Sequence, residues 1–144
     1  MATRTFAEDY AKGVARENEN LSKITKLMGR GMRKTTDEKH PMDFVALDDP
    51  LQYGEHKYRY GYTYEAIKKY YGGTAWIGLN KINYLKDNNA RATFFWEFPD
   101  GLYKADYDAE FHTFPTKFHR RDRPDKKNDA SWVVEVPLSK LVKV

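Results

Sequence analysis

Two carboxylates and one ammonium group brought to a common point can hydrolyse a phosphodiester once a divalent cation joins them. Mg²⁺ takes oxygen ligands and keeps several waters, so one or two protein carboxylates plus substrate phosphate suffice to hold it. The cation acidifies bound water and neutralises charge that builds on the phosphate. A nearby lysine can orient or deprotonate the attacking water, or stabilise the transition state electrostatically. Asp43, Glu55 and Lys57 supply that set. Glu55 and Lys57 are two apart in the stretch Leu51 to Arg59, which reads as a strand, so they project to the same side. Asp43 opens the preceding apolar run, Asp43-Phe44-Val45-Ala46-Leu47, and Asp48-Asp49-Pro50 is turn chemistry. An antiparallel return predicts Asp43 opposite the Glu55–Lys57 end at a cross-strand distance of about 5 Å. Tyr53 and Arg59 would then share that face.

Spacing alone is weak evidence. Acid-x-Lys also occurs at Asp37–Lys39 and Asp125–Lys127, both in polar segments that read as solvated loops. Only Glu55–Lys57 closes an apolar run that follows a run begun by Asp. The competing reading of the same three residues is a cross-strand salt-bridge cluster of purely structural value. It predicts indifference to metal and to DNA.

The elements that must position these residues follow from periodicity. Asp9 to Met28 reads as a helix, with Tyr10, Val14, Leu21, Ile24 and Met28 on one face and a stop at Gly29 and Gly31. Glu17 lies between Val14 and Leu21, near the middle of that apolar stripe. A carboxylate there needs a partner, which would be the metal site, as a third carboxylate, or a cation such as Arg33. After a short strand at Met32 to Thr35 comes the predicted hairpin. Thr63 can cap a helix over Tyr64 to Tyr71, closed by Gly72-Gly73. Strands are expected at Thr74–Leu79, Arg91–Phe98, Leu102–Tyr107 and Ser131–Leu138, with a turn of helix at Lys81–Lys86 and a basic loop after Phe118. The order predicts a single α/β domain over residues 1–144, a mixed central sheet of about five strands flanked by helices.

The charge distribution suits a polyanion. Net charge is +4, and Lys26, Arg30 and Arg33 follow one another without an intervening acid. Lys117, Arg120, Arg121, Arg123, Lys126 and Lys127 face only Asp122 and Asp125 along one stretch. These, with Arg59 and Lys81, are the candidate phosphate contacts; the bland alternative is a solvated face. Cysteine is absent, which excludes disulfides and thiolate metal sites, and the four histidines lack zinc-site spacing. No apolar run is long enough for a membrane span, and the N-terminus lacks a secretory signal, so a cytoplasmic location is expected. The absence of a phosphate-binding glycine loop, a dinucleotide fingerprint and a Gly-x-Ser-x-Gly elbow argues against nucleotide, redox and serine hydrolase chemistry.

Taken together, Glu17 in an N-terminal helix, Asp43 before an apolar strand and Glu55-His56-Lys57 ending the next resemble the PD-(D/E)XK nuclease superfamily. The likeness in pattern covers roughly residues 10 to 100 and extends to the helix Tyr64–Tyr71, the strand Thr74–Leu79 and Lys81 beyond it. The tail from Arg120 to Pro137 is similar, more loosely, to small phage-type members. Met42 intervenes between Pro41 and Asp43, and His56 stands where the family places an apolar residue. The resemblance implies a restriction-endonuclease-like core and Mg²⁺ or Mn²⁺ as cofactor. It implies DNA as substrate, phosphodiester hydrolysis by an endonuclease or exonuclease such as a junction resolvase, and a homodimer as one arrangement used by relatives. In that scheme Asp43, Glu55 and Glu17 hold the metal and Lys57 positions the water. A catalytically silent nucleic-acid-binding module on the same fold is the alternative.

Overall fold

The structure, a computed structural model, describes residues 18–35, 40–70, 72–123 and 126–144, with side chains described outside 120–130. Helix α1, described over residues 18–28, is followed by β1 (Met32–Lys34), β2 (Phe44–Ala46) and β3 (Gln52–Tyr58). Then come α2 (Tyr64–Tyr70), β4 (Thr74–Gly78), α3 (Leu79–Asp87), β5 (Arg91–Phe98) and β6 (Gly101–Asp106). The chain finishes with β7 (Thr116–Arg123), β8 (Lys126–Pro137) and β9 (Val142–Lys143), with short 3₁₀ turns at Ala109–His112 and Leu138–Lys140. Glu17, Tyr10 and Val14 lie outside the described residues.

The fold is α/β, built on a mixed sheet of six strands in the order β1-β2-β3-β5-β6-β9. Only the central pair, β3 with β5, is parallel; the other pairings are antiparallel. A parallel pair demands a long crossover, and α2, β4 and α3 fill it. The expectation of one sheet of about five strands is corrected here. Strand β4 leaves the central sheet and joins β8 and β7 in a second sheet of three strands. The basic loop expected after Phe118 is also corrected: it is the β7–β8 hairpin, whose ladder runs from Thr116↔Val134 to Arg123↔Lys126.

Both faces of the central sheet are buried, as the near-continuous apolar run of β5 requires. One face carries Val45, Tyr53, Phe94, Trp96 and Phe98 against Ile82 and Leu85 of α3 and Ile77, Val134 and Val136 of the second sheet. The Trp96 indole N–H donates to the Trp76 carbonyl at 3.1 Å and ties the two sheets together. The opposite face carries Phe44, Ala46 and Phe95, covered by Ile24 of α1 with Leu21, Leu27 and Met28 around it. Helix α1 ends at Gly29, where φ is +67° and the amide donates to the Thr25 carbonyl at 3.1 Å. Thr63 caps α2 by accepting from the Ala66 amide at 3.0 Å. Asp100, in the β5–β6 turn, accepts from the Tyr64 amide at 2.7 Å.

Gly54 sets how closely α1 approaches β3. A Cβ there would sit 3.2 Å from both the Ile24 Cγ1 and the Met32 methyl. Gly54→Val therefore overpacks the α1 face and should cost about 1–3 kcal/mol, read as a lowered midpoint in urea denaturation. An unchanged midpoint would mean that α1 rides loosely on the sheet.

Candidate functional site

The β2–β3 hairpin places the site. Its register pairs Phe44 with Gly54 and Val45 with Tyr53, and one further step brings Asp43 level with Glu55. The Asp43 amide donates to Glu55 Oε1 at 2.7 Å, which closes this end of the hairpin with a side chain. The Asp43 carbonyl accepts from the Thr35 amide at 3.0 Å, so β1 fixes the same residue from its other side. The Asp43 side chain itself is exposed, whereas Glu55 is fully buried.

Glu55 is the only charged residue among the buried ones described. Besides the Asp43 amide, its Oε1 accepts from Lys81 Nζ at 3.1 Å. Lys81 reaches it from the first turns of α3 and also donates to the Pro41 carbonyl at 2.5 Å. Glu55 Oε2 has no hydrogen-bond partner among the described residues. Burial pushes the Glu55 carboxyl up to about 7; the Lys81 and Lys57 charges pull it down, and the Asp43 charge adds to the rise. Lys57, on the same face two residues on, is held below the ordinary lysine range by burial. Glu55 and Asp43 attract its ammonium, while Lys81 and Arg59 repel it. Two carboxylates and two ammonium groups thus share one electrostatic neighbourhood.

Rings wall this neighbourhood. The Tyr53 hydroxyl lies 3.0 Å from the Tyr84 hydroxyl, and the His40 ring stands 4.7 Å from Tyr84 and 5.4 Å from Tyr53. His40 Nδ1 accepts from the Met42 amide at 3.0 Å, which shapes the turn into Asp43. Sequence reasoning missed Tyr84 and His40 here. Lys81 and Tyr84 are three apart on α3 and so share a helix face, the one signal that pointed to them. Lys81, expected as a phosphate contact, is turned inward onto Glu55 and the Pro41 carbonyl.

The remaining candidates disperse. Glu17 lies outside the described residues. Arg30 is engaged by Asp48 at 2.6 Å. Lys26, Arg33 and Arg59 are exposed. Lys117 Nζ stands 5.0 Å over the Trp76 ring. Arg120, Arg121, Arg123, Lys126 and Lys127 fall on the β7–β8 hairpin.

His56 points to the other face of the sheet, as alternation requires. Its side chain is 1% exposed, and its Nε2 lies 3.4 Å from Glu97 Oε1 without a hydrogen bond. Burial lowers its pKa, so the ring is neutral near pH 7. Glu97 is meanwhile engaged by Lys23 of α1 and by the Tyr60 hydroxyl.

The donor set suits a hard divalent cation. Asp43 offers an exposed carboxylate and Glu55 an oxygen left unmatched by protein donors, and Mg²⁺ or Mn²⁺ needs no more than two such ligands with water. Among the described residues no group of three or more His, Cys, Asp or Glu is placed to hold a metal, so Asp43 and Glu55 would act as a pair. No helix of the described residues is long and apolar enough to cross a membrane.

The raised Glu55 pKa gives a signed prediction. Between pH 4.5 and about 7 the folded protein holds the Glu55 proton more tightly than the unfolded chain does. The stability that this proton confers is complete below pH 4.5 and is lost as pH rises through about 7. In Glu55→Gln that loss is absent. The native chain should therefore fall relative to the variant by up to about 1.4 kcal/mol per pH unit across the window. Urea denaturation at a series of pH values reads it; the opposite slope would mean that the Lys81 ion pair outweighs burial. Compared with protein-family models, curated proteins and solved structures, the chain matches none, so the site must be read from its own geometry.

Proposed function

We propose that this protein is a metal-dependent deoxyribonuclease on a restriction-endonuclease-like core. Asp43 and Glu55 would hold Mg²⁺ or Mn²⁺, and Lys57 would position the hydrolytic water. The observation that carries the reading is Glu55: a fully buried carboxylate, fixed through one oxygen and without a partner at the other among the described residues, next to Asp43, whose side chain is exposed. Burying an acid is costly unless a partner offsets it. Lys81 at 3.1 Å and the Asp43 amide both engage only Oε1. The order α1, three antiparallel strands, a helical crossover and a strand parallel to β3 supports the core assignment.

When bound, the cation would supply Lewis acidity at the scissile phosphate and lower the pKa of a water. The chain's own groups do the rest. Glu55, held by the Asp43 amide and Lys81, cannot rotate away and so presents Oε2 in a fixed direction. Lys57, with its pKa lowered by burial, exchanges a proton more readily near neutrality than an exposed lysine would. Lys81, donating to Glu55 Oε1 at 3.1 Å, offsets part of its desolvation. The basic segments would take the DNA backbone, and Glu17 would complete the shell as a third carboxylate.

A second reading has one observation in its favour. The Glu55–Lys81 ion pair already neutralises much of the buried charge, as a purely structural cluster would. The two readings separate cleanly. The nuclease reading expects Lys57→Ala to lose at least a hundredfold in metal-dependent DNA cleavage and Asp43→Ala to lose it entirely, with both variants folded. Saturating Mn²⁺ should stabilise the native chain by about 2–3 kcal/mol at a hundred times Kd, a gain absent in Asp43→Ala. Full cleavage by both variants, or a melting temperature indifferent to Mn²⁺, leaves the structural cluster.

A further inference from the structure

The second sheet is wider at one end than at the other. Strand β4 pairs with β8 from Thr74↔Pro137 to Gly78↔Val133 and then turns into α3. Strands β7 and β8 go on pairing with each other, through Phe118↔Trp132 and His119↔Ser131 to Arg123↔Lys126. Past Val133 the hairpin is therefore a two-stranded ribbon. From Trp132 to Lys126 it runs six residues, roughly 20 Å at about 3.3 Å per residue. Its sequence there has a net basic excess, with Arg120, Arg121, Arg123, Lys126 and Lys127 against Asp122, Asp125 and Asp129.

The root of the ribbon carries a second feature. Val136, Val134 and Trp132 alternate on one face of β8. The first two are buried in the core, but Trp132 is 51% exposed. Its cross-strand partner Phe118 is also 51% exposed, and the two rings meet edge to face with centroids 5.4 Å apart. The apolar face of the core thus runs out into solvent as an aromatic step directly below the basic strands. Val133 pairs with Gly78, and three residues beyond Gly78 the Lys81 ammonium meets Glu55.

We infer that the β7–β8 ribbon is the substrate-selecting arm. It lies along duplex DNA, and the Phe118–Trp132 step stacks on an unpaired base, so the preferred substrate is DNA in which a duplex gives way to single strand. This rests on the nucleic-acid reading of the site and adds its substrate class. Each part of the arm matches one part of that substrate. A two-stranded ribbon fits a major groove about 12 Å wide, and its cations suit phosphates. Aromatic faces gain nothing from phosphates; they gain from base faces, which an intact duplex hides in its own stack and a single strand exposes. Rings at the root and charge along the strands therefore fit a boundary.

The test is binding without turnover, by fluorescence anisotropy in EDTA. The probes are a fully paired duplex and the same duplex ending in two unpaired arms. The native chain should bind the forked DNA about tenfold more tightly. Phe118→Ala with Trp132→Ala should erase that preference and leave duplex affinity unchanged, whereas Phe118→Tyr with Trp132→Tyr should keep it. Replacing Arg120, Arg121, Arg123, Lys126 and Lys127 by Gln should weaken both DNAs alike and flatten the salt dependence. Equal affinity for the two DNAs, or a preference that survives loss of both rings, overturns the inference. So does a native dimer, seen by sedimentation, that dissociates in the double Ala variant, because the rings would then be occupied by a second copy. Fork preference without cleavage in Mg²⁺ would defeat the nuclease reading alone; cleavage without fork preference would defeat this one alone.

Discussion

The buried carboxylate of Glu55 organises the region around it. An acid removed from water must find donors, and Glu55 has two among the described residues, the Asp43 amide along the hairpin and Lys81 from α3, with the Lys57 charge nearby on its own strand. Each donor fixes an element. The amide bond holds β2 in register with β3, so that a slip by one residue would strand the carboxylate. The Lys81 contact docks the start of α3 over the sheet, and through Pro41 it also holds the segment leading into Asp43. One costly burial thereby specifies where two strands and a helix meet, a role that a leucine of equal volume could not play.

Alternation along β3 divides the molecule's chemistry between two faces. Tyr53, Glu55 and Lys57 look toward α3 and the second sheet, while Gly54 and His56 look toward α1. On the α1 side Lys23 and Tyr60 both donate to Glu97, and hydrogen bonds outweigh the cost of its burial, so its carboxyl stays below the usual range. Beside it the two nitrogens of buried His56 have no hydrogen-bond partner among the described residues. The Lys23–Glu97 pair ties α1 to the sheet. The α3 side carries an exposed Asp43 and a buried Glu55 whose Oε2 has no hydrogen-bond partner among the described residues. With no side chain at Gly54, Ile24 of α1 seats directly against β3.

The elements nearest the site were the most legible in the sequence. The β2–β3 hairpin announced itself by two apolar runs around Asp48-Asp49-Pro50, and β5 by an eight-residue run of aromatic and small residues. The helix stop at Gly29 and the Thr63 cap were readable because each depends on local geometry. What the sequence concealed depends on partners. Strand β4 has the composition of a central strand, and nothing in Thr74 to Gly78 says that it will pair with β8 rather than β3. The β7–β8 ribbon reads as loop because its residues are charged; a ladder of backbone hydrogen bonds holds a hairpin regardless of such side chains. Lys81 looked like one more surface cation because burial of its ammonium follows from Glu55, twenty-six residues earlier.

A lysine on a proposed metal ligand looks at first like a contradiction, since ammonium and cation would compete for one acid. The geometry resolves it by dividing the carboxylate. Lys81 and the Asp43 amide both use Oε1, and neither uses Oε2. On the proposed reading, an ion at Oε2 would displace no donor among the described residues, and Lys81 would keep its place on Oε1. That arrangement has a direct physical consequence. The Asp43 charge adds to the raised Glu55 carboxyl, and the Lys81 charge opposes that rise. A purely structural salt bridge would have no use for an unmatched second oxygen, and burying one costs stability.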